Sequence, residues 1–154
     1  MRSVRLPAAL LAEMSAHGRA TYPEECCGFL IGSTHERGTA NERIILALER
    51  SDNRFSGERA RRFLIPPEQV RSIERRLEAT EHAVVGFYHS HPDHPARPSQ
   101  FDQEHAWPWY TYLVLSVTAS GIPAVGAFEL DPDSETFREM RLSVTEAEPT
   151  VVPG

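Results

Sequence analysis

The sequence predicts an α+β domain with a mixed or curved β-sheet flanked by helices. Three observations predict it. A length of 154 residues suits one domain that can bury a core without a disulfide or structural metal. Most apolar residues fall in short runs bounded by glycine, proline or polar residues, which is how buried strands read. Two stretches instead repeat apolar residues at helical spacing, and the resulting order is helix, strands, helix, strands.

The first helix spans 7–17, with Leu10, Leu11 and Met14 on one side; Gly18 and then Pro23 end it. The opening MRSVRLPAALLAEM has the arginines and short apolar run of a signal peptide. Glu13 interrupts that run and no cleavage site follows, so an amphipathic helix is the better reading. CCGFLIGS, 26–33, is a buried strand, and NERIILALE, 41–49, a second one antiparallel to it. Residues 50–60 form a polar loop, and RRFLIP a third short strand.

Pro66, Pro67 and Glu68 open the second helix, where Val70, Ile73 and Leu77 form one stripe along 67–79. AVVGFYHSH, 83–91, is apolar on both faces, as a central strand is. Ser99 to His105 makes a short helix. YTYLVLSV, PAVGAFELD and TFREMRLSV are three further strands, joined by turns at 119–121 and 131–133. The tail from Thr145, TEAEPTVVPG, reads as disordered, which sets the domain at 1–144.

Composition excludes several function classes. The formal net charge is −6, and the richest basic stretch, RFSGERARR at 54–62, is short and contains Glu58. It reads as a solvated loop, so nucleic acid is not an expected partner. No apolar run is long enough to span a membrane. The two cysteines, Cys26 and Cys27, are adjacent and make a poor crosslink; free thiols suit a reducing, cytoplasmic setting. They head a buried strand and read as core.

The chemistry concentrates in FYHSHPDHPARPSQFD, 87–102. Strand alternation puts His89 and His91 on one face, with Val85 and Phe87. Paired imidazoles are common zinc ligands, though His-x-His alone is weak evidence. Ser99 and Asp102 fit a helix capping box; the same spacing also puts both on one side of the first turn, so a capping role and a ligand role remain open. Two histidines and one carboxylate would leave a zinc with an open position, the pattern of a catalytic site. Such a site needs a general base. Glu24-Glu25 precedes a buried strand and offers one, although a solvated acidic turn explains the pair as well.

Together the array Glu25, His89-Ser90-His91, seven residues, Ser99, two residues, Asp102 resembles the JAMM/MPN+ metalloprotease family. EECCGFLIG and GFYHSHP look like family signatures, Gly28 selects Glu25 over Glu24, and the likeness covers residues 5–130. It implies a curved sheet similar to that of cytidine deaminases. It implies Zn²⁺ on His89, His91 and Asp102, with Glu25 accepting the proton of a zinc-bound water and Ser99 bonding the oxyanion. Asp93 and His94 could compete for the metal but read as part of a proline-stiffened loop, while His105 and Trp107 could line the cleft.

The compact chain looks most like the prokaryotic branch. That resemblance implies cleavage of an amide bond after the C-terminal Gly-Gly of a ubiquitin-like sulfur-carrier protein. A noncatalytic binding module for such a partner is the alternative. A zinc deaminase fits poorly, because no Cys-x-x-Cys pair is present.

Overall fold

The computed structural model describes residues 2–33, 42–53, 55–59 and 62–146. The elements run β1 (Ser3–Pro7), α1 (Ala8–Thr21), β2 (Cys27–Ser33), β3 (Glu42–Ile44), β4 (Ala47–Ser51), α2 (Pro67–Leu77), β5 (His82–Pro92), α3 (Gln100–Glu104), β6 (Thr111–Thr118), β7 (Gly121–Leu130) and β8 (Phe137–Thr145). One eight-stranded mixed sheet has the order β3-β1-β8-β7-β6-β5-β2-β4. Its two outermost strands, β3 and β4, are consecutive in the chain. The link between them bonds both sides, Ile45 N–H to Arg5 O and Leu46 N–H to Ile31 O, so the sheet curls round until its ends meet.

The expected α+β architecture is present, with several local differences. Residues 3–7 form a parallel partner of β8 and not the start of a helix. Helix α1 continues through Gly18 to Thr21. Gly18 serves close packing: a Cβ there would stand 3.1 Å from Val117 Cγ2. The segment 41–49 holds two strands, because the chain must cross from one end of the curled sheet to the other at Ile45-Leu46. RRFLIP forms no strand in its described part, 62–66; it packs beside the site with side chains instead of joining the ladder. Thr145, assigned to the tail, closes β8 opposite Pro7, and 147–154 lie outside the described residues.

Two apolar clusters cover the sheet faces. Val4, Leu6, Leu30, Tyr88, Leu113 and Leu115 pack with Met14 of α1, while Phe29, Ile31 and Val84 pack with Ile73 of α2. Val85 belongs to the first cluster and not to the face of Phe87. The reason is a register shift: Leu30 pairs with Gly86 but Ile31 with Val84, so Val85 is an extra, bulged residue. The bulge turns Val85 to the α1 side, and its carbonyl accepts a bond from Arg43 Nη1 at 2.7 Å. Gly28 answers Tyr88 across the strands; a Cβ there would meet the ring at 2.3 Å. Among the described residues, no helix is long and apolar enough to cross a membrane.

Candidate active site

Strand β5 lies between β2 and β6, which fixes the position of its C-terminal histidines. Beyond the bulge, alternation carries Phe87, His89 and His91 to the α2 face, and both imidazoles are buried. Their Nε2 atoms stand 3.1 Å apart. His91 Nδ1 lies 3.1 Å from the Pro95 carbonyl, which can only accept. That contact puts the proton on Nδ1 and leaves Nε2 as a lone-pair donor. The His89 ring is held differently: it stacks on Phe63 with centroids 4.4 Å apart, and its buried Nδ1 has no hydrogen-bond partner among the described residues.

Asp102 enters from the first turn of α3. Ser99 is the N-cap: its Oγ accepts from Asp102 N–H at 3.1 Å, while Asp102 Oδ2 accepts from Ser99 N–H at 2.8 Å. The capping box and a ligand geometry therefore coexist. The same Oδ2 lies 3.0 Å from His89 Nε2 and 3.1 Å from His91 Nε2. Burial pushes the Asp102 carboxyl up. The neighbouring His89, the contact with His91 and the hydrogen bond from the Ser99 amide outweigh it, so the group is held well below the usual carboxylate range. Burial lowers His89, against the pull of Asp102, which favours the neutral, ligating form.

Glu25 completes the cluster from the start of β2. Cys27 pairs with His89, and alternation puts Glu25 on the same face two residues earlier. Its carboxylate, His89 and His91 offer ligand atoms within 4.8 Å of one another. Glu25 is 2% exposed and its Oε1 has no hydrogen-bond partner among the described residues. Burial, then the charge of Asp102, push it up to about 9. Glu24, by contrast, is exposed.

His89, His91 and Asp102 thus converge, Glu25 offers a carboxylate oxygen near both histidines, and Ser99 is tied to the group through its bonds with Asp102. Two nitrogens and an oxygen separated by 3.0–3.1 Å approximate one face of a zinc tetrahedron. Ligands at about 2.0–2.1 Å from a metal stand roughly 3.3–3.4 Å from one another. The donor set fits a zinc ion, with Glu25 further out. Ser99 is exposed, and among the described residues its Oγ is engaged only as the acceptor of Asp102 N–H, so its hydroxyl proton can donate elsewhere.

Neighbouring candidates sort themselves. Asp93 is exposed and accepts from Tyr22 Oη at 2.7 Å, while the His94 carbonyl accepts from Ser116 Oγ at 2.6 Å, so both serve the loop. His105 and Trp107 line the cleft beside His89. Cys26 and Cys27 are buried free thiols that burial pushes up to about 11 and 12, which makes them inert.

Two contributors escaped the sequence reading. One is Phe63, read as part of a strand. The other is Asn53, in the polar loop: its Nδ2 donates to the carbonyls of Glu25 at 3.3 Å and Arg62 at 2.8 Å. Its Oδ1 accepts from Phe55 and Leu64 N–H, both at 3.0 Å. One amide thus ties the loop that carries Phe63 to the backbone of Glu25. Asparagine between a strand and a Pro-Pro helix start was the available signal.

Comparison with known proteins follows the same outline. A family model described as prokaryotic homologs of the JAB domain matches residues 7–130. The chain is 36% identical over 95 residues to a desampylase of Haloferax volcanii; the match covers 61% of this chain and 63% of that protein, under two thirds of its length. The solution structure of a Desulfitobacterium hafniense protein superposes with a TM-score of 0.76 at 26% identity, covering 93% of both chains. That of a Salinibacter ruber protein gives 0.65 at 35% identity, covering 96% of this chain and 94% of the other.

Proposed function

Because this chain belongs to the family of prokaryotic JAB-domain homologs, we propose that it is a zinc-dependent peptidase or isopeptidase. Its substrate is an amide bond that follows the C-terminal Gly-Gly of a ubiquitin-like sulfur-carrier protein. The observation that carries this reading is the meeting of His89 Nε2, His91 Nε2 and Asp102 Oδ2 beside the buried Glu25 carboxylate, whose Oε1 has no hydrogen-bond partner among the described residues. The relative named desampylase supports release of a ubiquitin-like modifier from a conjugate.

In this reading His89, His91 and Asp102 hold the ion. When bound there, zinc would supply Lewis acidity and positive charge, acidifying water, polarising an amide carbonyl and drawing down the raised pKa of Glu25. Glu25 then takes a proton from the attacking water and delivers it to the leaving amine. Ser99 donates its hydroxyl proton to the developing oxyanion, and its capping bond holds it in place before reaction. A glycine pair suits the approach to this buried cluster, since a backbone without Cβ atoms can come close. The two buried thiols are compatible with a reducing cytoplasm.

A binding module for the same partner needs neither a buried Glu25 carboxylate beside the histidines nor a Ser99 hydroxyl able to donate. The deciding experiment incubates zinc-loaded protein with a carrier protein extended beyond its Gly-Gly and reads the product by mass spectrometry. Release back to Gly-Gly, stopped by a chelator, is expected. Carrier binding without cleavage by zinc-loaded protein would transfer the chain to the binding-module class.

A further inference from the structure

A cleft of about 360 Å³ opens at the His89–Asp102 edge of the site. Phe63, Ile65, Val70 and Phe87 are among the residues that line it. Leu64 and Trp107 stand at its mouth, 42% and 56% exposed. Glu104 and His105 line it as well.

We propose that this cleft is a side-chain subsite that takes one large apolar residue of the substrate, aromatic or branched aliphatic, within three residues of the bond that is cut. The inference rests on the peptidase reading and deepens it. A glycine leaves such a cleft empty, so the Gly-Gly pair cannot be its occupant. Its volume is at the small end of ligand pockets, the size of one bulky side chain with room at the mouth. Water is poorly held against an apolar lining, and an apolar group that displaces it gains affinity. The two large apolar residues at the mouth are exposed until something covers them, and a bulky substrate residue would do so. The cleft shares His89 and Asp102 with the catalytic cluster, so its occupant lies beside the reacting bond.

Two arms test this. In the first, N-acetyl-tryptophanamide and N-acetyl-glycinamide are titrated into methyl-labelled protein and followed by NMR. The tryptophan compound is expected to shift the Ile65 and Val70 methyls, and the glycine compound to leave them. A Trp107→Ala variant, altered only at an exposed residue, should weaken the shift. In the second arm, carriers carry Trp or Ala either just after the Gly-Gly or just before it. Burial of one aromatic side chain predicts a preference for Trp of roughly 10–100-fold at one of the two positions. Val70→Trp, which fills the cleft, should bring the ratio toward one, with thermal unfolding as the check on its fold.

Absence of methyl shifts, equal rates for Trp and Ala, or a preference that survives Val70→Trp would each overturn the inference. Failure to cleave any carrier would count against the peptidase reading, and the first arm would still decide the subsite.

Discussion

Phe63 stacks on the imidazole of His89 at 4.4 Å, and this packing stands where His91 instead has the hydrogen bond that its Nδ1 donates to the Pro95 carbonyl. The two histidines are therefore oriented by different forces, one directional and one apolar. Phe63→Ala should free the His89 ring and weaken zinc binding roughly 10–100-fold, the usual effect of losing support behind a metal ligand. Competition with a chromogenic chelator measures it. Affinity equal to wild type would mean that β5 alone orients the ring.

Asp102 performs two tasks, and substitution can separate them. Asp102→Asn keeps an acceptor for Ser99 N–H, so urea unfolding of the metal-free protein should change by less than about 1 kcal/mol. Zinc affinity should fall at least tenfold, because the anionic ligand is gone. Asp102→Ala loses both and should cost about 1 kcal/mol more in stability.

Glu25 makes the metal-free protein sensitive to pH. Folded, it keeps its proton up to about 9; unfolded, the carboxyl releases it near 4.5. The unfolded chain loses that proton first, so stability must fall as pH rises between these values. Below 6.5 a second group acts in the opposite sense: burial lowers His17 to about 4, and its contribution is lost as pH falls. Near pH 9 the buried Cys26 and Cys27, also raised, begin to add a loss of the same sign, so the window from about 6.5 to 8 isolates Glu25. Wild type in chelator should lose on the order of 2 kcal/mol across it, while Glu25→Gln stays nearly flat. Parallel urea midpoints for the two proteins would show that Glu25 ionises freely.

Asn53 should matter to both the loop and the base. Asn53→Ala removes four hydrogen bonds to backbone, each worth about 0.5–1.5 kcal/mol net, and exposes the 55–64 segment to protease. The expected sign is faster cleavage within that segment, with the core sheet still protected from hydrogen exchange. Uniform loss of protection would mean that the amide supports the whole fold.

Much of this was legible in the sequence because it is local. The 99–102 capping box and the Val70-Ile73-Leu77 stripe depend only on spacing along one element, and the His89/His91 pair on alternation at the end of one strand. What the sequence did not disclose depends on distant pairing. Nothing local marks residues 3–7 as a strand, since their partner is β8, more than a hundred residues away. The side chosen by Val85 depends on a bulge set against Leu30-Ile31. The break at Ile45-Leu46 follows from the curl of the whole sheet. Phe63 looked like one more strand residue because its partner, His89, is met only in three dimensions.

The central claim is that His89, His91 and Asp102 hold a zinc ion while Glu25 stays free to act on water. Isothermal titration of metal-free protein with zinc tests it most directly, across wild type, Asp102→Ala and Glu25→Gln. The account predicts one site per wild-type chain, near-normal binding in Glu25→Gln and binding lost in Asp102→Ala. Binding retained without the Asp102 carboxylate but lost in Glu25→Gln would contradict it, and would make Glu25 the third ligand in place of the base.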